Sequence, residues 1–566
     1  MNFLRYSDKL TVTVSSSVKI LAPGPLPIIS AVCEESGLVE NINEELDWDK
    51  ERSQLSPGLR IMALITNCLT QGQPMYKMPD FFRDTDTENL FGEGIEPEDL
   101  NDHTLGRALD KLSDADASTV LGTVLVEAAA REDVSTDVVH ADTTSFSVHG
   151  LYETDEDTDE TLSITHGYSK DHRPDLKQFQ VGLGVNRAGV PVVGDILDGN
   201  TSDTAWNTDL IARLRQRLAA DEPPVYVADS KVVNQESLDQ AAAEGISIIS
   251  LLPRTYNAVD ALIDRAWEVN DWTNLGTFVD DEDDEDVASY QIQTFQKPIS
   301  EHDLRCVVVH SSSLDGRSER RIDNDLDSTE EDLEDAVGQL TDRSFACEPD
   351  AQEAWETWLD DHDDPQFQFE AEVVETEQKK SRDKPGRPPK EWDPYETVYQ
   401  IAASVQRDAA AIAHRKKRAS CFVVVTSLDD AEEWPAERVL REYKEQQAVE
   451  RRFPVLKDPK RVGPVFLDRP DRVEALGYVL LMALLVYSLI ERRAREALKD
   501  ADEPMDLAGG PTSFRPTGRR VLERFENVLV MQTNGERELP ANDNLPRRVL
   551  ELLDLSVAVY GIEPEE

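Results

Sequence analysis

Three acidic side chains stand out by their neighbours. Asp142 follows an apolar run in VVHADTTSF, and Asp229 does the same in VYVADSK, where burying a carboxylate is costly without a compensating cation. Glu450 lies in YKEQQAVERRFPVLK, where Tyr443, Gln446 or Gln447, Glu450, Phe453 and Lys457 recur every three or four residues, so they line one face of an expected helix. Carboxylates brought close repel one another, and a divalent cation relieves that repulsion while acting as a Lewis acid. Each residue also has a plainer reading. Strand-end aspartates often cap helices, and a charged helix face is commonly held by ion pairs four residues apart.

The elements around them decide whether the acids can meet. Residues 1–130 read as a helical region: in SPGLRIMALITNCL, Ser56 is an expected N-cap and Pro57 the first helical residue. The period then changes to β. DVVHADTTSFSVHG is β-branched, and KQFQVGLGVNRAGVPVVGDIL reads as two strands joined through a turn at Asn186 to Gly189. A helix in TSDTAWNTDLIARLRQRLAA, the strand PVYVADS, the helix NQESLDQAAAEG and the strand ISIISLL follow. The order β-β-β-α-β-α-β over residues 131–254 matches the ribonuclease-H-like fold, an α/β class with a mixed sheet. In that fold the first strand and the strand after the first helix are central neighbours, so residues near their ends can meet.

Residues 255–425 read as an inserted, β-rich acidic domain with a basic linker at 379–390; residues 426–500 read as the second part of the core, with the glutamate helix, and 501–566 as a C-terminal tail. The most apolar run, ALGYVLLMALLVYSLI, is shorter than the roughly 20 residues that span a bilayer, so a buried core helix is expected and no membrane. DDEDDED reads as a solvated acidic loop.

HADTTSF, HGYSKDHRPDLKQF, DGNTSD, VADS and YKEQQAVERRFPVLK together resemble the DDE transposases of prokaryotic insertion sequences. They are most similar to the branch with a Tyr-x2-Arg-x3-Glu-x6-Lys signature and a β-rich insertion before the glutamate helix. Tyr443, Glu450 and Lys457 match that signature in register, whereas its arginine position holds Gln446. The resemblance covers roughly residues 30–500. It implies that Asp142, Asp229 and Glu450 bind two Mg²⁺ or Mn²⁺ ions and catalyse DNA cleavage and strand transfer. It also implies double-stranded DNA partners, the terminal inverted repeats and the target, and a homodimer in the synaptic complex. Magnesium takes hard oxygen ligands, which carboxylates supply. Lys170, Arg173, Lys177, Tyr443, Gln446 and Lys457 are the implied DNA contacts, against ordinary surface charge and packing. Arg451 and Arg452 are weaker candidates. Arg387, in KKSRDKPGRPPK, belongs either to a minor-groove hook or to a stiff basic linker. His140, His149, His166 and His172 fit no zinc spacing well and read as local hydrogen-bonding groups. The rival functions are a nuclease of the same fold without strand transfer, and an inactive DNA-binding descendant of a transposase.

Charge bears on that expectation. The chain has 566 residues, with 59 Lys plus Arg against 113 Asp plus Glu, a net charge of −54. Such acidity disfavours nucleic acid unless basic residues concentrate locally. Residues 255–378 hold 36 acidic and 7 basic side chains, whereas 379–470 hold 20 basic and 15 acidic, a relatively basic island. Acidity over the rest suits a salt-adapted host, where the Debye length shrinks to about 3 Å at molar salt and dense carboxylates keep a protein hydrated. The five cysteines are scattered without a C-x-x-C pair, and the opening MNFLRYSDKLTVTV lacks the pattern of an export signal. A reducing cytoplasmic, nucleoid-associated setting is therefore expected.

Overall fold

A computed structural model of the chain describes residues 18–150, 152, 162–219, 222–278, 288–380, 391–458, 467, 469–506, 512–533, 535–541 and 543–563. The chain is mixed α/β and divides into two units. The first comprises 1–250, 300–302 and 442–566, and the second 251–299 and 303–441. The linker 379–390, apart from its first two residues, and the DDEDDED run lie outside the described residues.

In the first unit the expected β-β-β-α-β-α-β order is found: strands Val138–Val148, Lys177–Val185 and Pro191–Leu197, helix Asp203–Arg217, strand Val225–Ala228, helix Gln235–Glu244 and strand Ser247–Leu251. The first three strands pair antiparallel, with Asp142 opposite Leu183 and Gly182 opposite Asp195. The first strand then pairs parallel with Val225–Ala228, which pairs parallel with Ser247–Leu251. Helical crossovers return the chain to the same end of the sheet for each parallel strand.

Helices Leu26–Glu35, Leu38–Glu45, Pro57–Thr70, Asp102–Asp114 and Ala117–Arg131 precede the sheet. The Ser56 hydroxyl accepts a bond from Leu59 N at 3.2 Å and Pro57 opens the third of these helices, as the sequence predicts. The apolar run forms the middle of a 32-residue helix, Pro470–Ala501. By length and composition it could cross a membrane, yet 89% of its most apolar stretch is buried inside the protein. It packs against Pro57–Thr70, Asp102–Asp114, Ala117–Arg131 and the strand Pro191–Leu197. Apolar side chains all round such a helix are explained by partners all round it.

The second unit is mixed rather than largely β. It holds strands Thr273–Thr277, Ser289–Ile299, His302–Ser311 and Cys421–Thr426 in one sheet, and a long hairpin pairing Phe367–Lys379 with Tyr395–Arg407. It also holds the 30-residue helix Ser312–Thr341, with helices Ala258–Val269, Glu348–Asp361 and Ala409–Ala419. Ile322, Leu326, Leu333, Val337 and Leu340 form a buried stripe on the long helix, packed with Trp358, Phe367 and Ile401. That stripe lets so acidic a segment fold as a helix.

Candidate active site

Ala141 pairs in parallel with Ala228, so the next residues along lie side by side: Asp229 just past the end of its strand, and Asp142, expected at a strand end, inside a strand that continues to Val148. Neighbouring strands lie about 4.8 Å apart, and the two carboxylates feel each other. Burial pushes the Asp142 carboxyl up to about 6; Lys170 and the Thr143 N–H pull it down, and Asp229 and Asp203 push it up. Burial likewise raises Asp229, offset by the Lys231 N–H and again reinforced by Asp203. The Asp229 carboxylate also accepts from Lys231 N at 3.1 Å, capping a single helical turn at Ser230–Val232. The capping reading of this residue is thus found in the structure.

Asp203 is a third carboxylate at this place, and sequence reasoning passed over it. The Thr143 hydroxyl donates to Asp203. The Lys170 ammonium lies 3.3 Å from Asp203 Oδ1 and 3.6 Å from Asp142 Oδ1, and donates at 2.8 Å to the carbonyl and the hydroxyl of Thr143. Lys170, expected to bind phosphate, is thus the cation that compensates the aspartates. Its backbone N–H is anchored on Ser145 Oγ at 2.9 Å. The available signal for Asp203 was its place in DGNTSD, one residue past the Ser202 N-cap.

The segment bearing Glu450 is not one continuous helix. Ala436–Lys444, Gln447–Glu450 and Phe453–Leu456 are separate pieces. Bonds from Gln446 N to Tyr443 O and from Ala448 N to Glu445 O tighten the first break. Pro454 has no N–H to bond the Glu450 carbonyl, which favours the second. Glu450 is exposed. Burial pushes the Tyr443 phenol up to about 12, with Asp229 and then Glu450 adding to the rise. Both charges thus reach the phenol. Among the described residues, no three His, Cys, Asp or Glu side chains stand close enough to form a complete metal-ligand set.

The other candidates are dispersed. Arg173 pairs with Asp175 at 2.8 and 2.7 Å at the surface, and Lys177 donates to the Tyr152 carbonyl at 2.8 Å. Lys457 lies 2.6 Å from Asp171 and 5.7 Å from the Phe146 ring centre, on the strand that carries Asp142. Gln446, the expected DNA contact at the arginine position, is 8% exposed, so its side chain belongs to the interior. Arg451 is exposed, whereas Arg452 is buried. Arg387 lies outside the described residues. His140 is fully buried with Nε2 3.2 Å from Glu442, a local contact as expected. All five cysteines are free.

Residues 18–126 match the family profile of a domain of unknown function, DUF4277, which covers much of the helical region before the sheet. No curated protein matches the chain.

Proposed function

We propose that the chain is an insertion-sequence DDE transposase whose first unit carries a ribonuclease-H-like core, and that it cuts donor DNA and joins the ends to a target. The observation that supports this most is the parallel register that sets Asp142 and Asp229 side by side, with Tyr443 feeling the charge of both Asp229 and Glu450. Asp142 and Asp229 are self-repelling carboxylates, the hard oxygen donors that Mg²⁺ or Mn²⁺ takes, while among the described residues no three acids stand within ligand distance of one another. Asp142, Asp229 and Glu450 would hold two such ions, which when bound activate water or a 3′-hydroxyl and stabilise the leaving oxygen. The chain's own groups do the rest. The Tyr443 phenol keeps its proton at neutral pH and can donate to a phosphate oxygen, while the Lys170 ammonium, held by Thr143 and Asp203, balances the aspartates. Two ends must be held together, so a homodimer on terminal repeats is the expected working form.

The test is a plasmid carrying the gene with its native flanking DNA, incubated with the full chain and Mg²⁺. Excised and rejoined products are expected. Asp142→Asn, Asp229→Asn and Glu450→Gln should each lower cleavage by at least about 10²-fold while gel-shift binding persists. Cleaved but never joined DNA would favour the nuclease, and undiminished cleavage by the three variants would remove the site assignment.

A further inference from the structure

The turn at residues 186–189, between the second and third core strands, is gripped from two sides. Arg187 Nε lies 2.9 Å from Oε1 and 3.0 Å from Oε2 of Glu442, and its Nη1 lies 2.8 Å from Asp137. Glu442 is only 6% exposed and also meets His140, two residues before Asp142 on the same strand. On the other side, buried Arg452 donates to the carbonyls of Gly189 at 2.8 Å and Ala188 at 3.1 Å, and pairs with buried Glu491 at 2.8 Å. The turn itself is stiff. Asn186 Oδ1 accepts from the N–H groups of Ala188 and Val190 at 3.0 Å each, and Asn186 Nδ2 donates to the Ser135 carbonyl at 3.1 Å. Gly189 has φ +75, and a Cβ there would fall 2.3 Å from Arg452 Nη2, so any side chain here is strained and must displace the guanidinium.

Glu442 and Arg452 bracket the segment that holds Tyr443 and Glu450. Without these ties, three helical pieces of nine, four and four residues have little stability of their own. We propose that Arg187 and Arg452 are positioning residues: through the 186–189 turn they fix the glutamate-bearing segment against the aspartate strand, so that Glu450 can act with Asp142 and Asp229. This rests on the metal-ligand reading of Glu450, but the clamp itself can be tested without it.

The experiment compares the full-length wild-type chain with Arg187→Ala, Arg187→Lys and Arg452→Lys. Arg187→Ala leaves Glu442 its contact to His140, and Arg452→Lys keeps a cation beside Glu491, so all three should fold. Hydrogen exchange should quicken at the amides of 442–452 in Arg187→Ala and Arg452→Lys, while the Pro470–Ala501 helix keeps its protection. Unchanged exchange there overturns the clamp whatever the activity. On the native-flank plasmid, cleavage at saturating Mg²⁺ should fall about 10²-fold, the Mg²⁺ midpoint should rise, and DNA affinity should stay within about twofold, with Arg187→Lys intermediate. A fall in rate with an unmoved Mg²⁺ midpoint would mean a merely structural role and overturn the proposal. A wild-type chain that cleaves nothing overturns the proposed function, and the positioning role falls with it, leaving the exchange result to judge the clamp alone.

Discussion

Asp142 carries two opposed influences, burial that disfavours its charge and an ammonium 3.6 Å away that favours it. Burial wins, so the folded carboxyl, at about 6, holds its proton more tightly than the unfolded one. The sign follows from linkage: the stabilisation is fully present below the unfolded value near 4 and is lost as pH rises through 6. Asp142→Asn should therefore raise the melting temperature of the metal-free protein at pH 7 by a few degrees and flatten its change between pH 5 and 7, read by melts monitored through circular dichroism. Lys170→Met should do the reverse: it removes the cation that favours the Asp142 carboxylate and should lower the melting temperature of the metal-free protein at pH 7. Asp142 and Asp229 draw the eye in sequence because an acid directly after an apolar β run is conspicuous, although the strand of Asp142 continues to Val148. Asp203 is not, because an acid in the first turn of a helix already has an ordinary explanation in the helix dipole.

Gly182 lies in the second core strand where the indole of Trp206, 2% exposed, crosses the sheet; a Cβ at Gly182 would fall 2.3 Å from that ring. The indole N–H donates to Asp195 at 2.9 Å, and Asp195 is paired with Arg217, so the ring has little room to retreat. Gly182→Ala should destabilise the fold by about 1–3 kcal/mol, measured by urea denaturation, whereas Gly122→Ala, with nothing within 4 Å of its Cβ, should be neutral or stabilising in its helix. The strand and helix order of this core was readable because period-two and period-3.6 segments alternate cleanly between Val138 and Leu251. The glutamate segment was not: side chains recur at three and four residues whether the helix is continuous or broken, and only Pro454 hinted at a break. Of the helix Ser312–Thr341, the second half, TEEDLEDAVGQLTD, reads as helix-like in the sequence, whereas the first half hid for another reason. Its acidic residues, such as Asp323, Asp327 and Glu330, outnumber the apolar stripe and obscure the period, although Ile322, Leu326, Leu333, Val337 and Leu340 keep it.

Across the whole molecule the unusual quantity is the charge of −54, which sets two responses to salt. Mutual repulsion of so many carboxylates destabilises the compact state and weakens as the Debye length falls from about 10 Å at 0.1 M to 3 Å at 1 M. The basic side chains of the helix Ala409–Ala419 add little free positive charge: Arg415, Lys416 and Arg418 are paired with Asp325, Asp323, Asp260 and Asp264. Similarly, Arg173 and Lys457 are paired with Asp175 and Asp171. A DNA-binding chain with 6–10 phosphate contacts loses about 10³–10⁵ in affinity between 50 and 200 mM salt. Were the chain to bind DNA as proposed, each added ion would also screen the repulsion between DNA and the acidic surface, and a contact made by Arg173 or Lys457 would first break an internal ion pair that salt itself weakens. The two effects oppose counterion release. The expected outcome is a melting temperature that rises from 0.1 to 2 M KCl, together with a slope of log affinity against log salt shallower than about −3, against the roughly −5 to −9 that 6–10 contacts produce. Fluorescence anisotropy on the element's end DNA across that range measures the slope directly. A steep negative slope would mean that a basic face outside the pairs named here dominates the encounter.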